Sequence, residues 1–180
     1  MLLSIGNKIN YPSRGPCLVA AVVKKIVGGK LAEFHRLIVL DDSGAELFVP
    51  FGKAPIAGAR RLLDISEIPG LLKHLKRAAG TAKNWKQRAI DNVKLLASGS
   101  AFDLAEVVES LTELSRGKIL APGDHRTLER ARKLLVCEIS EVTGETRGAV
   151  EERIDRALGD RKRGVESGGD RLEKTTRRLL

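Results

Sequence analysis

Side chains able to do covalent chemistry are few and scattered in this chain. Cys17 and Cys137 sit in separate apolar stretches, "GPCLVAAVV" and "LLVCEIS", and read as buried thiols of a protein kept in a reducing cytoplasm. His35, His74 and His125 are isolated from one another and from both cysteines, so no Cys/His pair and no metal-ligand spacing is spelled out. No glycine loop able to cradle a phosphate, no Ser/His/Asp pattern and no carboxylate pair in an apolar setting is found. The adjacent Glu151 and Glu152 fit a solvated helix face. These residue types predict a protein that is not an enzyme, with no catalytic residue, metal or cofactor.

The stretch "AKNWKQRAIDN" (Ala82–Asn92) is different in kind. It holds the only tryptophan, Trp85, of a chain with 3% aromatic residues, and Lys83, Lys86 and Arg88 surround it. A flat apolar ring framed by cations suits nucleic acid, where the ring can enter a base step while the cations hold phosphates. The same spacing places Trp85 on one helical face with Ala89, Val93 and Leu96, which would make it a core anchor instead. The residues alone leave both readings open.

Charge favours a polyanionic partner, since 32 basic against 23 acidic residues give a formal +9. Residues 1–80 carry 12 basic and 6 acidic side chains, residues 81–160 carry 13 and 14, and the last twenty carry 7 and 3. The block around Trp85 is thus close to neutral. Any DNA contact there needs a local patch rather than a general positive surface.

The elements that must position these residues change character near residue 65. Upstream, "GPCLVAAVVKKIV", the pair Gly28–Gly29 and "KLAEFHRLIVL" predict a β-hairpin, and "DDSG" predicts a turn into a further strand, "AELFVPF". Four or five short strands in this length predict a small SH3- or Tudor-like barrel over residues 1–65, with Tyr11, Phe34, Phe48 and Phe51 in its core. Downstream the apolar period becomes helical, and residues 66–158 predict a compact all-α unit, so the fold class is α+β. Ser100 is placed to cap a helix ending near Gly117. Leu128, Ala131, Leu135, Ile139 and Val142 form one stripe of another, ending at Gly144. Residues 159–180 are charged and glycine-rich, and predict a basic, disordered tail. No apolar run is long enough to span a bilayer and no signal peptide is expected at the N-terminus.

Several segments carry a resemblance: "YPSRGPCLVAAV", "ELFVPF" with "GARRLL", "NWKQRAIDNVKLLASGS", "LAEVVESL" and "LAPGDHRTLERARKLLVCEI". In this order and spacing the chain resembles the CarD/CdnL family of bacterial transcription regulators over residues 5–158. Its N-terminal half also resembles the polymerase-interacting module of the transcription-repair coupling factor. The resemblance implies a β unit that grips the β subunit of RNA polymerase by lengthening a sheet. It also implies a helical unit that wedges a tryptophan into the minor groove at the upstream edge of the transcription bubble, largely without regard to sequence.

Trp85 matches the wedge. Lys86, Arg88 and Lys83 then become phosphate contacts, with His125 and Arg126 of the "GDHR" turn beside them. On the polymerase side the resemblance points to Lys24, Lys25, Lys30 and Phe48, the last at a position that some relatives fill with arginine. The partners implied are the polymerase β subunit and promoter DNA, with no membrane, a monomeric state and a cytoplasmic, nucleoid-associated location. A reading from another class is an RNA-binding or ribosome-associated protein, with an SH3-like barrel on RNA and a helical dimerisation module.

Overall fold

The computed structural model describes residues 3–51, 58–76 and 84–159. Its first part is an antiparallel sheet of β1 (Lys8–Tyr11), β2 (Gly15–Val27), β3 (Lys30–Val39), β4 (Glu46–Pro50) and β5 (Arg60–Arg61), in the order β4-β3-β2-β1-β5. Gly28 and Gly29 adopt φ of +59° and +74°, as a two-residue primed turn demands, and they close the β2–β3 hairpin at the Val27–Lys30 pair. A register shift between Val19 and Ala21 bends β2. The order runs from one free edge to another, so the sheet is open where the sequence predicts a barrel. β1 is four residues long and meets β2 only over Gly15–Leu18, too short to cover the rest of β2 or to close on β4.

The sheet's core is small and aliphatic: Ile9, Cys17, Val19, Leu37, Val39 and Val49. This corrects the aromatic core expected from the sequence. Phe48 and Phe51 are exposed, and Phe34 is only half-buried. Tyr11 packs at the edge of the cluster. The side chains of β4 alternate, so Val49 and Leu47 turn to the core while Phe48 turns to the other face, which no helix among the described residues covers with a buried cluster.

A 3₁₀ turn at Ile65–Glu67 leads into the helices, fixed by a reciprocal capping box between Asp64 and Glu67. They are α1 (Ile68–Leu75), α2 (Trp85–Ser98), α3 (Ala101–Gly117), α4 (Pro122–Thr143) and α5 (Arg147–Gly159). The Ser100 hydroxyl accepts from the Asp103 N–H at 3.3 Å and starts α3, while Gly144 ends α4 in the left-handed region, both as the sequence predicts. Leu71 and Leu75 of α1, Leu104, Val108 and Leu111 of α3, Leu135 and Ile139 of α4 and Ile154 of α5 form one closed core. Truncating any of these leucines to alanine would cost about 2–5 kcal/mol. The expected tail beyond Gly159 lies outside the described residues.

Sheet and helices are joined along α4. Glu138 is fully buried, and its carboxylate accepts four hydrogen bonds: Arg60 Nη1 at 2.5 Å, Arg60 Nη2 at 2.8 Å, Asn10 Nδ2 at 2.9 Å and the Leu63 N–H at 3.0 Å. One side chain of α4 thereby holds β1, β5 and the segment leading to α1. Outer ties add Lys8–Glu141 at 2.8 Å, Lys133–Asp41 at 3.1 Å and the pair Arg147–Asp42. Gly15, at φ +84°, admits the close approach, since a Cβ there would meet Leu134 Cδ2 at 3.0 Å.

Candidate nucleic-acid interface

Trp85 is the first residue of α2. Asn84 caps the helix by accepting the Lys86 N–H on its side-chain oxygen at 2.9 Å, which sets the direction in which the indole leaves the backbone. The indole is 64% exposed, so it is not a core anchor, and the Lys86 ammonium lies 5.6 Å from its ring centroid. The inward edge of α2 is made instead by Arg88, Asn92, Leu95 and Leu96. The stripe Trp85, Ala89, Val93 and Leu96 drifts around the helix, and only its last member packs against the core.

Arg88 has a different place from Lys86. Its guanidinium is 17% exposed and bonds the Asp124 carboxylate at 3.0 Å, tying the first turns of α2 and α4 together. The site thus brings two helix N-termini side by side, each with partial positive charge from unpaired N–H groups. Arg126 is exposed in the first turns of α4, and exposed His125 faces Glu129 at 3.5 Å. Lys83 lies outside the described residues.

Sequence reasoning missed two features here. Ile90 and Val93 are 51% and 66% exposed and extend the apolar surface of α2 outwards from the indole. Asp124, two residues after Pro122 at the start of α4, was legible as a first-turn acid but not as the partner of Arg88.

The residues assigned to the polymerase side cluster around the outer half of the β2–β3 hairpin. Lys25 Nζ sits 3.0 Å from the centroid of the Phe48 ring, joining β2 to β4 across β3. Lys24 pairs with Glu33 at 3.5 Å, and Lys30 is exposed beside the turn. β2 is an internal strand at its base, but beyond Val19 it has β3 on one side and, among the described residues, no strand on the other. The second free edge is β4. Phe51 N–H donates to Glu33 and Val39 N–H donates to Ala45, so odd-numbered residues of β4 bond β3 while the N–H groups of Glu46 and Phe48 point outwards. Pro50, in the same outward register, has no N–H to leave unpaired.

Burial pushes the Cys17 thiol up to about 11 and raises that of Cys137, which leaves both as poor nucleophiles. Among the described residues no group of His, Cys, Asp and Glu can hold a metal, and no helix is long and apolar enough to cross a membrane. Residues 70–155 match the family model described as "CarD, C-terminal domain". The chain is also 25% identical over 150 residues to "Putative transcription factor YdeB" of Bacillus subtilis (strain 168), covering 81% of this chain and 95% of that protein.

Proposed function

We propose, for a chain that belongs to the CarD/CdnL-like family through residues 70–155 and is a transcription regulator, that it stabilises the promoter open complex. In this reading the open, Tudor-like sheet of residues 1–65 binds the β subunit of RNA polymerase, and the helical unit of residues 66–158 meets DNA. A free strand edge, at β4 or at the outer half of β2, takes a strand of the partner, and Lys25, Phe48, Lys24 and Lys30 supply side-chain contacts beside it. Trp85 enters the minor groove at the upstream edge of the melted region. Lys86, Arg126 and His125 approach phosphates together with the N-termini of α2 and α4, and Lys83 joins them from the preceding segment.

The observation that carries this is the exposure of Trp85 at the very start of a capped helix. Separating a base step costs a few kcal/mol, and an inserted apolar ring offsets that cost best where the duplex is already distorted. The wedge works only if its mount does not yield. That is the part Arg88 plays, by locking α2 to α4 through Asp124.

The experiment is Trp85→Ala, with melting temperature, affinity for the polymerase β fragment and open-complex lifetime measured on one preparation. We expect near-native melting and β binding with a complex that decays far faster. A wedge-free protein with an unchanged complex lifetime would overturn the reading. So would a parallel loss of melting temperature and both activities, the mark of a core residue whose truncation costs about 3–5 kcal/mol.

A further inference from the structure

A second cationic feature lies away from the tryptophan, where α1 packs against α5. Lys73 and Lys76 at the end of α1 and Arg153 and Arg156 of α5 line one cleft of about 310 Å³, whose remaining walls are Pro69, Leu72 and Ala157. Among the described residues no carboxylate lines it. Arg153 is answered from outside by Glu145, and the nearest acid further along α5, Asp155, is held by Arg132 of α4 at 2.6 Å. Lys73 and Arg156 have no carboxylate partner among the described residues.

Helix polarity accounts for part of this. Lys73 and Arg156 each stand in the last turn of their helix, where the carbonyl end attracts a cation. That effect explains one cation per helix end. It does not explain why Lys73 of α1 and Arg156 of α5 converge on one concave surface, where each raises the cost of the other.

We propose that the α1–α5 cleft binds a small ligand carrying clustered phosphate groups, of the nucleotide polyphosphate type. The Arg156 guanidinium offers paired N–H donors that match phosphate oxygens, Lys73 adds compact charge beside it, and Arg153 and Lys76 raise the positive potential of the wall. The apolar wall of Pro69, Leu72 and Ala157 gives a flat organic group a surface to lie on, and the volume is at the lower end of the roughly 300–1,000 Å³ usual for small-molecule sites. A concave site of this size favours a compact anion over the convex backbone of a duplex. The Trp85 surface is built by α2 with α4, whereas this cleft is built by α1 with α5, so the two sites are separate and the inference does not rest on the DNA reading.

The test is calorimetric titration of the full chain, at fixed ionic strength, with inorganic tripolyphosphate, a nucleoside triphosphate and a short duplex. It compares wild type, K73Q/R156Q and W85A. Lys73 and Arg156 are exposed, so the double variant is expected to melt as wild type does, and its melting curve is recorded alongside. The proposal expects tripolyphosphate and the nucleotide to bind wild type and W85A alike, and to bind K73Q/R156Q at least tenfold more weakly. It is overturned if neither probe binds, or if both bind K73Q/R156Q as tightly as wild type. It is equally overturned if only duplex binding falls in K73Q/R156Q, which would make the cleft a stretch of DNA-backbone track.

Discussion

Replacing Glu138 by glutamine is the sharpest perturbation this fold offers, because it changes one atom at the junction of sheet and helices. Oε1 accepts from Arg60 Nη1 and the Leu63 N–H, and Oε2 accepts from Arg60 Nη2 and Asn10 Nδ2. Every neighbour is a donor. Whichever oxygen becomes an NH₂ group, two donors then face a third donor, and the Arg60 guanidinium, 28% exposed, loses its counter-charge. Leaving a buried donor unpaired costs about 1–3 kcal/mol, and removing one partner of a buried ion pair about 3–5 kcal/mol. These costs overlap, so we expect Glu138→Gln to lose about 3–5 kcal/mol, a large share of the roughly 5–15 kcal/mol that holds a typical protein folded.

Urea unfolding followed by circular dichroism measures it, with Arg60→Met and the double variant completing a cycle. The two single losses should not add, because each removes the same pair. Adding Glu138→Met to Arg60→Met should recover only part of the loss, since an apolar pair of similar volume needs no desolvation of charge but leaves the Leu63 N–H and Asn10 Nδ2 without their acceptor. A Glu138→Gln protein within about 1 kcal/mol of wild type would refute the reasoning, and would mean that water enters the junction and screens it.

Two further outcomes follow from other parts of the structure. Lys25→Glu removes the cation from the Phe48 face and reverses a charge on the proposed polymerase surface, and should weaken β-subunit binding while free DNA binds as before; biolayer interferometry with the β fragment decides it. The Ser43 hydroxyl, bonded to the Asp41 carboxylate, and then Lys133 hold Asp41 down at about 2. A depressed carboxylate contributes stability above its ordinary value near 3.8, and that contribution fades as pH falls towards 2. Asp41→Asn should therefore be less stable than wild type at neutral pH and lose less on acidification through that window, as melting curves at stepped pH would report.

Much of this was written in local signals. The Gly28–Gly29 pair, the Ser100 cap and the Gly144 stop each act within a few residues, and each has the geometry its residue type demands. The aromatic residues of the sheet misled, because a strand's two faces look alike in sequence until something covers one of them. Here a core of small aliphatics suffices, and Phe48 faces away from it. The periodic stripe through Trp85 misled in part for a related reason: residues four apart drift round a helix, so the stripe's N-terminal end leaves the core that Leu96 still touches. Glu138 was illegible. It sits on the buried stripe of α4 among leucines and valines, and its partner Arg60 is 78 residues away, so nothing nearby in sequence announces the pair.

On the proposed reading, the junction at Glu138 bears on how this protein would tell one promoter from another. If one end of the molecule rests on polymerase and the other on the bubble edge, the four-bond knot between them makes the whole a caliper of fixed opening. A caliper does not spell out letters. It accepts any promoter whose melted boundary falls at the set distance from the polymerase surface, and passes over one whose boundary falls short or long. Discrimination between genes would then reside in where each promoter comes apart, and a mutation that loosened the knot would blur that discrimination without touching either contact surface.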